Sequence, residues 1–353
     1  TVSPAKHELK GMYLAELKQF AKDLGEPDFR GAQLASWMYE KGVSKFSEMT
    51  NLSKKNREKL EEIAQVTSLQ IAKQARSHRS PTTKYLFALP DGQTIESVLI
   101  GGTQRNTLCI SSQVGCALGC RFCASGLAGL SRNMTAGEIV DQVLRVRETA
   151  GANRDINNLV LMGMGEPLAN YDNVMRAVRI INAPWGLGIG ARRITISTSG
   201  LTPRIYRLAE EGIQFELSVS LHAADNSTRT SIMPINKRYP IEGLIEACRH
   251  YIAVTNRIIT FEYILLDGIN DRFDDARNLI SLLRNLKCKV NLIPYNPVEG
   301  LPYETPAQGR QQAFYESVVA GGLTTTIRRE RGRDIDAACG QLRLKELASE
   351  TLT

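Results

Sequence analysis

Six short apolar runs recur after residue 106: Thr107–Ile110, Asn158–Met162, Arg193–Thr198, Phe215–Ser220, Ile258–Leu266 and Lys289–Ile293. Helix-patterned segments lie between them, one opening with the capping box Thr135-Ala136-Gly137-Glu138. Another opens at Thr202-Pro203, read as an N-cap followed by proline at the first helical position. Strands that alternate with helices are joined by right-handed crossovers and therefore run parallel. Six repeats fall short of the eight of a closed barrel, so the expected fold class is α/β, a partial, open (β/α)6 barrel. Sites in such folds collect at the C-terminal ends of the strands.

The remaining chain sorts around this unit. Residues 1–65 repeat apolar positions at helical spacing (Leu14, Leu17, Ala21, Leu24; Leu34, Trp37, Met38; Leu60, Ile63, Ala64) and predict a small helical accessory domain. Ser53 reads as an N-cap. Lys54, Lys55, Arg57 and Lys59 follow it, each singly a solvated charge and together a surface able to touch phosphates. Residues 66–106 read as a β-hairpin connector, with Lys84–Leu89 and Thr94–Ile100 flanking the turn Pro90-Asp91-Gly92. The barrel takes 107–328 and a C-terminal tail 329–353.

A length of 353 residues suits one large domain and a smaller one, and 42% hydrophobic with 23% charged residues is ordinary for a soluble enzyme. No apolar run reaches the ~20 residues of a membrane span, so no membrane partner is expected. A formal charge of +7 fits a polyanionic partner. Seven cysteines, an odd number without a leader-like N-terminus, argue against a disulfide framework and for a reducing cytoplasm.

Three of those cysteines, Cys116, Cys120 and Cys123, stand at C-x3-C-x2-C spacing in the stretch Gln113 to Cys123. Full ligation of a [4Fe–4S] cube takes four cysteines; three leave one iron open to a substrate or cofactor. Phe122, between the last two, is placed to shield one side from water. A zinc knuckle calls for a second pair of ligands, and the four histidines His7, His78, His222 and His250 are scattered.

Other candidates stand at strand ends. Gly163-Met164-Gly165-Glu166-Pro167 follows the second run, where glycines allow close backbone approach and Glu166 offers a carboxylate to an ammonium group. By itself such a stretch is usually a tight turn. Ser197 ends the third run, Ser220-Leu221-His222 the fourth, and Asn296 follows the sixth. Singly each satisfies local backbone; together they offer hydroxyl, imidazole and amide groups to a ribose and a base. Glu96 interrupts the hairpin, either as outward alternation or as a base. Cys339 lies among small residues after Arg328, Arg329, Arg331 and Arg333, either a small core residue or a thiolate favoured by the arginines. Cys109 lies seven residues before Cys116. Cys248 and Cys288 read as structural.

The triplet is the signature of the radical S-adenosylmethionine superfamily. The chain also resembles the adenosine methyltransferases of RlmN type in Asn51-Leu52-Ser53, Leu108 to Cys116, Gly163 to Pro167, Met233-Pro234-Ile235-Asn236 and Asp336 to Leu342. The resemblance implies a [4Fe–4S] cluster on Cys116, Cys120 and Cys123. It implies two molecules of S-adenosylmethionine per turnover, held by Gly165, Glu166, Ser197, Ser220, Leu221, His222 and Asn296. It further implies Cys339 as a methyl carrier, Glu96 as base, and Cys109 as the thiol that resolves a covalent RNA intermediate. The implied substrates are an adenosine of 23S rRNA and an adenosine near the anticodon of tRNA, methylated at carbon 2. An electron donor and a monomeric state are expected. The alternatives are Cfr-type methylation at carbon 8, a non-catalytic cluster- or zinc-stabilised RNA-binding protein, and a radical enzyme acting on a peptide or small molecule.

Overall fold

The computed structural model describes residues 6–103, 105–127, 129–150, 155–328 and 333–335. The N-terminal region starts with β1 (His7–Glu8), followed by α1 (Leu14–Asp23), α2 (Phe29–Ala35, extended by a wider turn through Glu40) and α3 (Lys54–Ile63). The Ser53 hydroxyl caps α3 by accepting from Asn56 N at 3.2 Å, as the sequence predicts. A two-residue strand, β2 (Ala64–Gln65), then pairs in parallel with β1 and closes the region.

Three antiparallel strands come next: β3 (Gln70–Arg76), β4 (Thr82–Ala88) and β5 (Thr94–Ile100). Strand β6 (Thr107–Cys109) pairs antiparallel with β5 and begins the parallel part of the sheet. A side hairpin of β7 (Gln113–Gly115) and β8 (Leu130–Asn133) encloses the cysteine stretch and the short helix α4 (Ala124–Leu127). The alternation follows as α5 (Ala136–Ala150), β9 (Asn158–Leu161), α6 (Tyr171–Asn182), β10 (Ile194–Thr198), α7 (Thr202–Ala209) and β11 (Glu216–Ser220). It ends with α8 (Asn226–Ile232), α9 (Ile241–Thr255), β12 (Ile259–Leu265), α10 (Phe273–Leu283), β13 (Cys288–Pro294), α11 (Gln308–Ala320) and β14 (Thr325–Ile327).

One ten-stranded sheet results, in the order β14-β13-β12-β11-β10-β9-β6-β5-β4-β3. Every one of the six expected runs is a strand, within a residue or two at each end. A short seventh parallel strand, β14, extends the sheet at one edge, and the hairpin region continues it at the other. The capping box forms, with Thr135 N on Glu138 Oε2 at 2.9 Å and Glu138 N on Thr135 Oγ1 at 3.2 Å. At α7 the boundary shifts by one: Thr202 is already helical, and the Thr198 hydroxyl accepts from Gly200 N and Leu201 N instead.

Register sorts the sheet into two chemically different faces. Val98 faces Cys109, Cys109 faces Val160, Val160 faces Thr195 and Ser197 faces Ser218. Ser220 faces Glu262, and Glu262 faces Asn291. Paired residues share a face and alternate residues return to it. Glu96, Cys109, Ser197, Ser218, Ser220, Glu262 and Asn291 therefore lie on one face. The other carries Leu108, Leu159, Ile194, Ile196, Leu217, Val219, Phe261 and Val290, all buried in the main core with the helices. The apolar face packs under the helices, so the polar one lines the barrel interior.

The accessory helices are clamped to the barrel by buried charge. Lys10 Nζ meets Asp141 of α5 at 2.5 Å, with neither side chain exposed. Burial lowers the Lys10 pKa while Asp141 opposes the shift. The other Asp141 oxygen accepts from Leu69 N at 2.6 Å, and Glu16 pairs with Arg176 of α6. Among the described residues no helix is long and apolar enough to cross a membrane.

Candidate active site

The site is built where β6 and β9 end. Ser111-Ser112-Gln113 leaves β6 and is stitched to the loop that leaves β9. The Ser111 hydroxyl donates to Glu96 O at 2.6 Å and accepts from Met164 N at 2.9 Å. Ser112 N and Gln113 N both donate to Met164 O, at 2.9 and 3.2 Å. Gln113 Oε1 accepts from Glu166 N at 2.8 Å. From α5, the Gln142 amide grips Ser111 N and O, each at 2.9 Å. Gly165 has φ +95°, and a Cβ there would stand 2.5 Å from Gln113 Cβ. Only glycine fits this close approach of two loops.

The cysteine loop hangs from the same edge. Cys116 N donates to Gly129 O at 2.9 Å, and Cys123 N to Cys120 O at 3.1 Å. All three thiols are half-buried. Burial pushes the Cys116 thiol up to about 11, with Cys123 and Glu166 adding to it. Cys120 is raised further, by burial first and then by Cys123, Cys116 and Glu166, while Arg229 opposes. Cys123 thus disfavours ionisation of both Cys116 and Cys120, which bound cations would relieve.

The donor set suits a cube better than a lone ion. Among the described residues no three His, Cys, Asp or Glu side chains converge as a single metal would need. The buried Ser125 Oγ and Asn296 Oδ1 find no hydrogen-bond partner among the described residues. Ser125 lies in the helix directly after Cys123, and Tyr295 packs in one apolar cluster with Cys120 and Phe122. These residues fit a polar cofactor bound against an iron–sulfur cluster.

The remaining expected residues gather around the polar face. Glu166 is fully buried; one oxygen accepts from Leu168 N at 3.1 Å and the other from Ser199 N at 2.7 Å. Burial raises its pKa and these bonds oppose the rise. Much of its accepting capacity therefore goes to the backbone of the strand ends. The Ser197 hydroxyl donates to Leu161 O. His222 is one of two non-glycine residues described with left-handed backbone (φ 58°). Its Nδ1 accepts from Ile264 N at 3.0 Å, leaving the proton on Nε2, and its ring meets Phe122 edge-on at 5.0 Å. Burial, then Arg229, lowers its pKa to about 3. Cys109 is buried on the interior face, and Glu96 forms a buried ion pair with Lys84 at 3.6 Å. Cys248 is buried in α9 and Cys288 begins β13.

Cys339 lies outside the described residues. Before it, Asp334 accepts from the Ser77 hydroxyl at 2.7 Å and from His78 N at 2.9 Å, in the turn between β3 and β4. The tail thus leaves β14 at one sheet edge and is next tied at the other. Sequence reasoning missed Lys84, Arg229, Glu262, Asn270 and Tyr295. Asn270 donates to His222 O at 2.7 Å and to Ile264 O at 2.6 Å. Glu262 accepts from Ser218 at 2.7 Å and from Asn291 at 2.6 Å. Unusual polarity inside strands is the one signal that could have flagged Lys84 and Glu262.

Residues 7–66 match the family described as the ribosomal RNA large subunit methyltransferase N-terminal domain, and residues 110–280 match the radical SAM superfamily. A probable dual-specificity RNA methyltransferase RlmN from Caldanaerobacter subterraneus subsp. tengcongensis is 48% identical over 341 residues, covering 97% of this chain and 99% of that one. The chain belongs to the RlmN family of radical SAM methyltransferases. A further family member, the dual-specificity RNA methyltransferase RlmN of Syntrophobacter fumaroxidans, is 48% identical across 95% of this chain and 97% of its own. The crystal structure of a radical SAM methyltransferase from Sphaerobacter thermophilus is 46% identical. It superposes with a TM-score of 0.91 over 95% of this chain and 98% of that one. Family membership implies a [4Fe–4S] cluster and S-adenosylmethionine.

Proposed function

We propose that the protein methylates carbon 2 of an adenosine in 23S rRNA and in tRNA near the anticodon, through a methyl group carried on Cys339. The observation that carries this reading is the register placing Cys109 and Glu96 on the interior face, stitched through Ser111 to the loops that bear Cys116 and Glu166. The RlmN relatives are named as dual-specificity RNA methyltransferases and the N-terminal family as that of a ribosomal RNA large subunit methyltransferase, which supports an RNA substrate, and the charge of +7 agrees with one.

Cys116, Cys120 and Cys123 would hold the cluster, and Gly165, Glu166, Ser197, Ser220, Leu221, His222 and Asn296 the cofactor. When bound, the two supply a radical able to take hydrogen from an S-methyl group. That chemistry is needed because this ring carbon is too weak a nucleophile for direct methyl transfer. The chain's own residues do the rest. Cys339, as a thiolate, would take a methyl group by displacement from one cofactor molecule, whose sulfur leaves with the bonding pair, and a second would serve as the radical source. The methylene carbon carried on Cys339 joins the ring carbon; the adduct then gives up one electron, for which the cluster would be the acceptor, and its ring proton, which Glu96 takes. Cys109 then attacks the Cys339 sulfur; the S–C bond breaks, the departing carbon takes a proton, and the two cysteines are left as a disulfide. The target base must leave its stack to enter the barrel mouth, with residues 1–65 as the RNA-docking domain. We further infer a cytoplasmic monomer served by a low-potential reductant.

Anaerobic reconstitution with iron and sulfide tests the reading. The protein should take up about four irons per chain and form 5′-deoxyadenosine upon reduction with S-adenosylmethionine. Uptake of zinc alone, with no deoxyadenosine, would overturn it.

A further inference from the structure

Arg229 has no exposed surface, and among the described residues no carboxylate forms an ion pair with it. Burying an unpaired cation is costly unless its donors are satisfied. Four of its bonds are in place: Nε donates to Leu221 O at 3.0 Å and Nη1 to Asn236 Oδ1 at 2.8 Å. Nη2 donates to Ser199 O at 2.7 Å and to Ser220 O at 3.1 Å. Three of the four acceptors are carbonyls just past β10 and at the end of β11, where Ser197, Ser220 and His222 also stand.

The helix that carries Arg229 also holds the cysteine loop. Ile232 O, at the end of α8, accepts from Arg121 N at 2.9 Å. Ile232 and Met233 pack with Cys120 and Phe122. The charge of Arg229 reaches both Cys120 and His222. One residue thus ties the cofactor-binding strand ends to the ligand loop and leaves its positive charge uncompensated beside it. The Met233-Pro234-Ile235-Asn236 block supplies Asn236 as a neutral partner, where a carboxylate would have cancelled the charge.

We propose that Arg229 is a positioning residue that also acts electrostatically. It fixes the strand ends that receive S-adenosylmethionine, and its buried charge favours the reduced cluster. This rests on the cluster assignment above. Reduction adds negative charge, and a nearby cation in a low-dielectric setting lowers its cost.

Two variants of the reconstituted full chain separate these effects. Asn236→Asp puts a carboxylate against the guanidinium while leaving its carbonyl contacts. It should shift the cluster midpoint to lower potential, read by electron paramagnetic resonance during redox titration, and change S-adenosylmethionine affinity by less than threefold. Arg229→Lys keeps the charge but loses the fork of donors; it should weaken S-adenosylmethionine binding tenfold or more, with the midpoint close to wild type. An unchanged midpoint in Asn236→Asp overturns the electrostatic part, even if Arg229→Lys does not fold. Wild-type affinity in Arg229→Lys overturns the positioning part. If the wild-type protein loads no cluster, the underlying reading fails instead, and the two results are distinct.

Discussion

Cys109 and Glu96 share one face of neighbouring antiparallel strands: Cys109 is paired with Val98, and Glu96 lies two residues before it on the same strand. In the proposed reaction, the resolving thiol and the base would therefore approach an RNA base from the same wall of the barrel. The Ser111 hydroxyl, bonded to Glu96 O, fixes that wall to the cofactor loop. This arrangement separates the two roles experimentally. Cys109→Ala removes only the release step, so a protein–RNA thioether should accumulate as a shifted, RNase-sensitive band on denaturing gels. The band should vanish when Cys339→Ala is added.

Glu96→Gln keeps the side-chain shape and removes the base. It should slow RNA methylation by roughly a hundredfold or more while iron content and 5′-deoxyadenosine formation persist. Methylation within a fewfold of wild type would exclude Glu96 as the base.

Cys116→Ala, Cys120→Ala and Cys123→Ala should each fail to retain the cluster, measured by iron content and visible absorbance. The fold should survive, because the three cysteines sit in a loop outside the ten-stranded sheet. Circular dichroism should match wild type.

Lys10→Met breaks the buried pair that docks the accessory helices, leaving Asp141 with Arg145 at 3.4 Å. Loss of one partner of a buried pair costs about 3 kcal/mol. Denaturant unfolding should show that loss; a change under about 1 kcal/mol would mean the pair does not hold the interface.

His222 links acidity to stability. Its folded pKa, about 3, lies below the ordinary 6.5, so above pH 6.5 neither state binds the proton and the residue contributes nothing. As pH falls from about 6.5 towards 3, the unfolded chain gains a proton that the fold refuses. Stability should drop by about 1.4 kcal/mol per pH unit from this residue. His222→Asn, which tolerates the left-handed backbone, should lose that slope. Parallel stability curves for the two proteins between about pH 6.5 and 5 would contradict the assignment.

The parts of this fold that were legible are those where periodicity and chemistry coincide. Val160, Ile196 and Val219 sit in runs whose length and branching mark strands. Alternation reveals two faces without saying which one meets water: Glu262, Asn291 and Ser218 pair inside the barrel. Lys84 is equally hidden, because nothing local shows that Glu96 waits on the next strand. Strand β3 escaped notice since, as an edge, it exposes most of its residues. Strand β14 is three residues long and owes its existence to pairing with β13. Arg229 had no local signal at all: its acceptors are backbone carbonyls brought together by the fold and the Asn236 side chain.

The central claim is the position of the methyl group. Ribosomal RNA and tRNA, treated anaerobically with the reconstituted enzyme, reductant and S-adenosylmethionine, can be digested to nucleosides and analysed by mass spectrometry against standards. The account predicts 2-methyladenosine in both RNAs, and none with Cys339→Ala. 8-Methyladenosine, or no methylated adenosine from a protein carrying its full cluster, would contradict it.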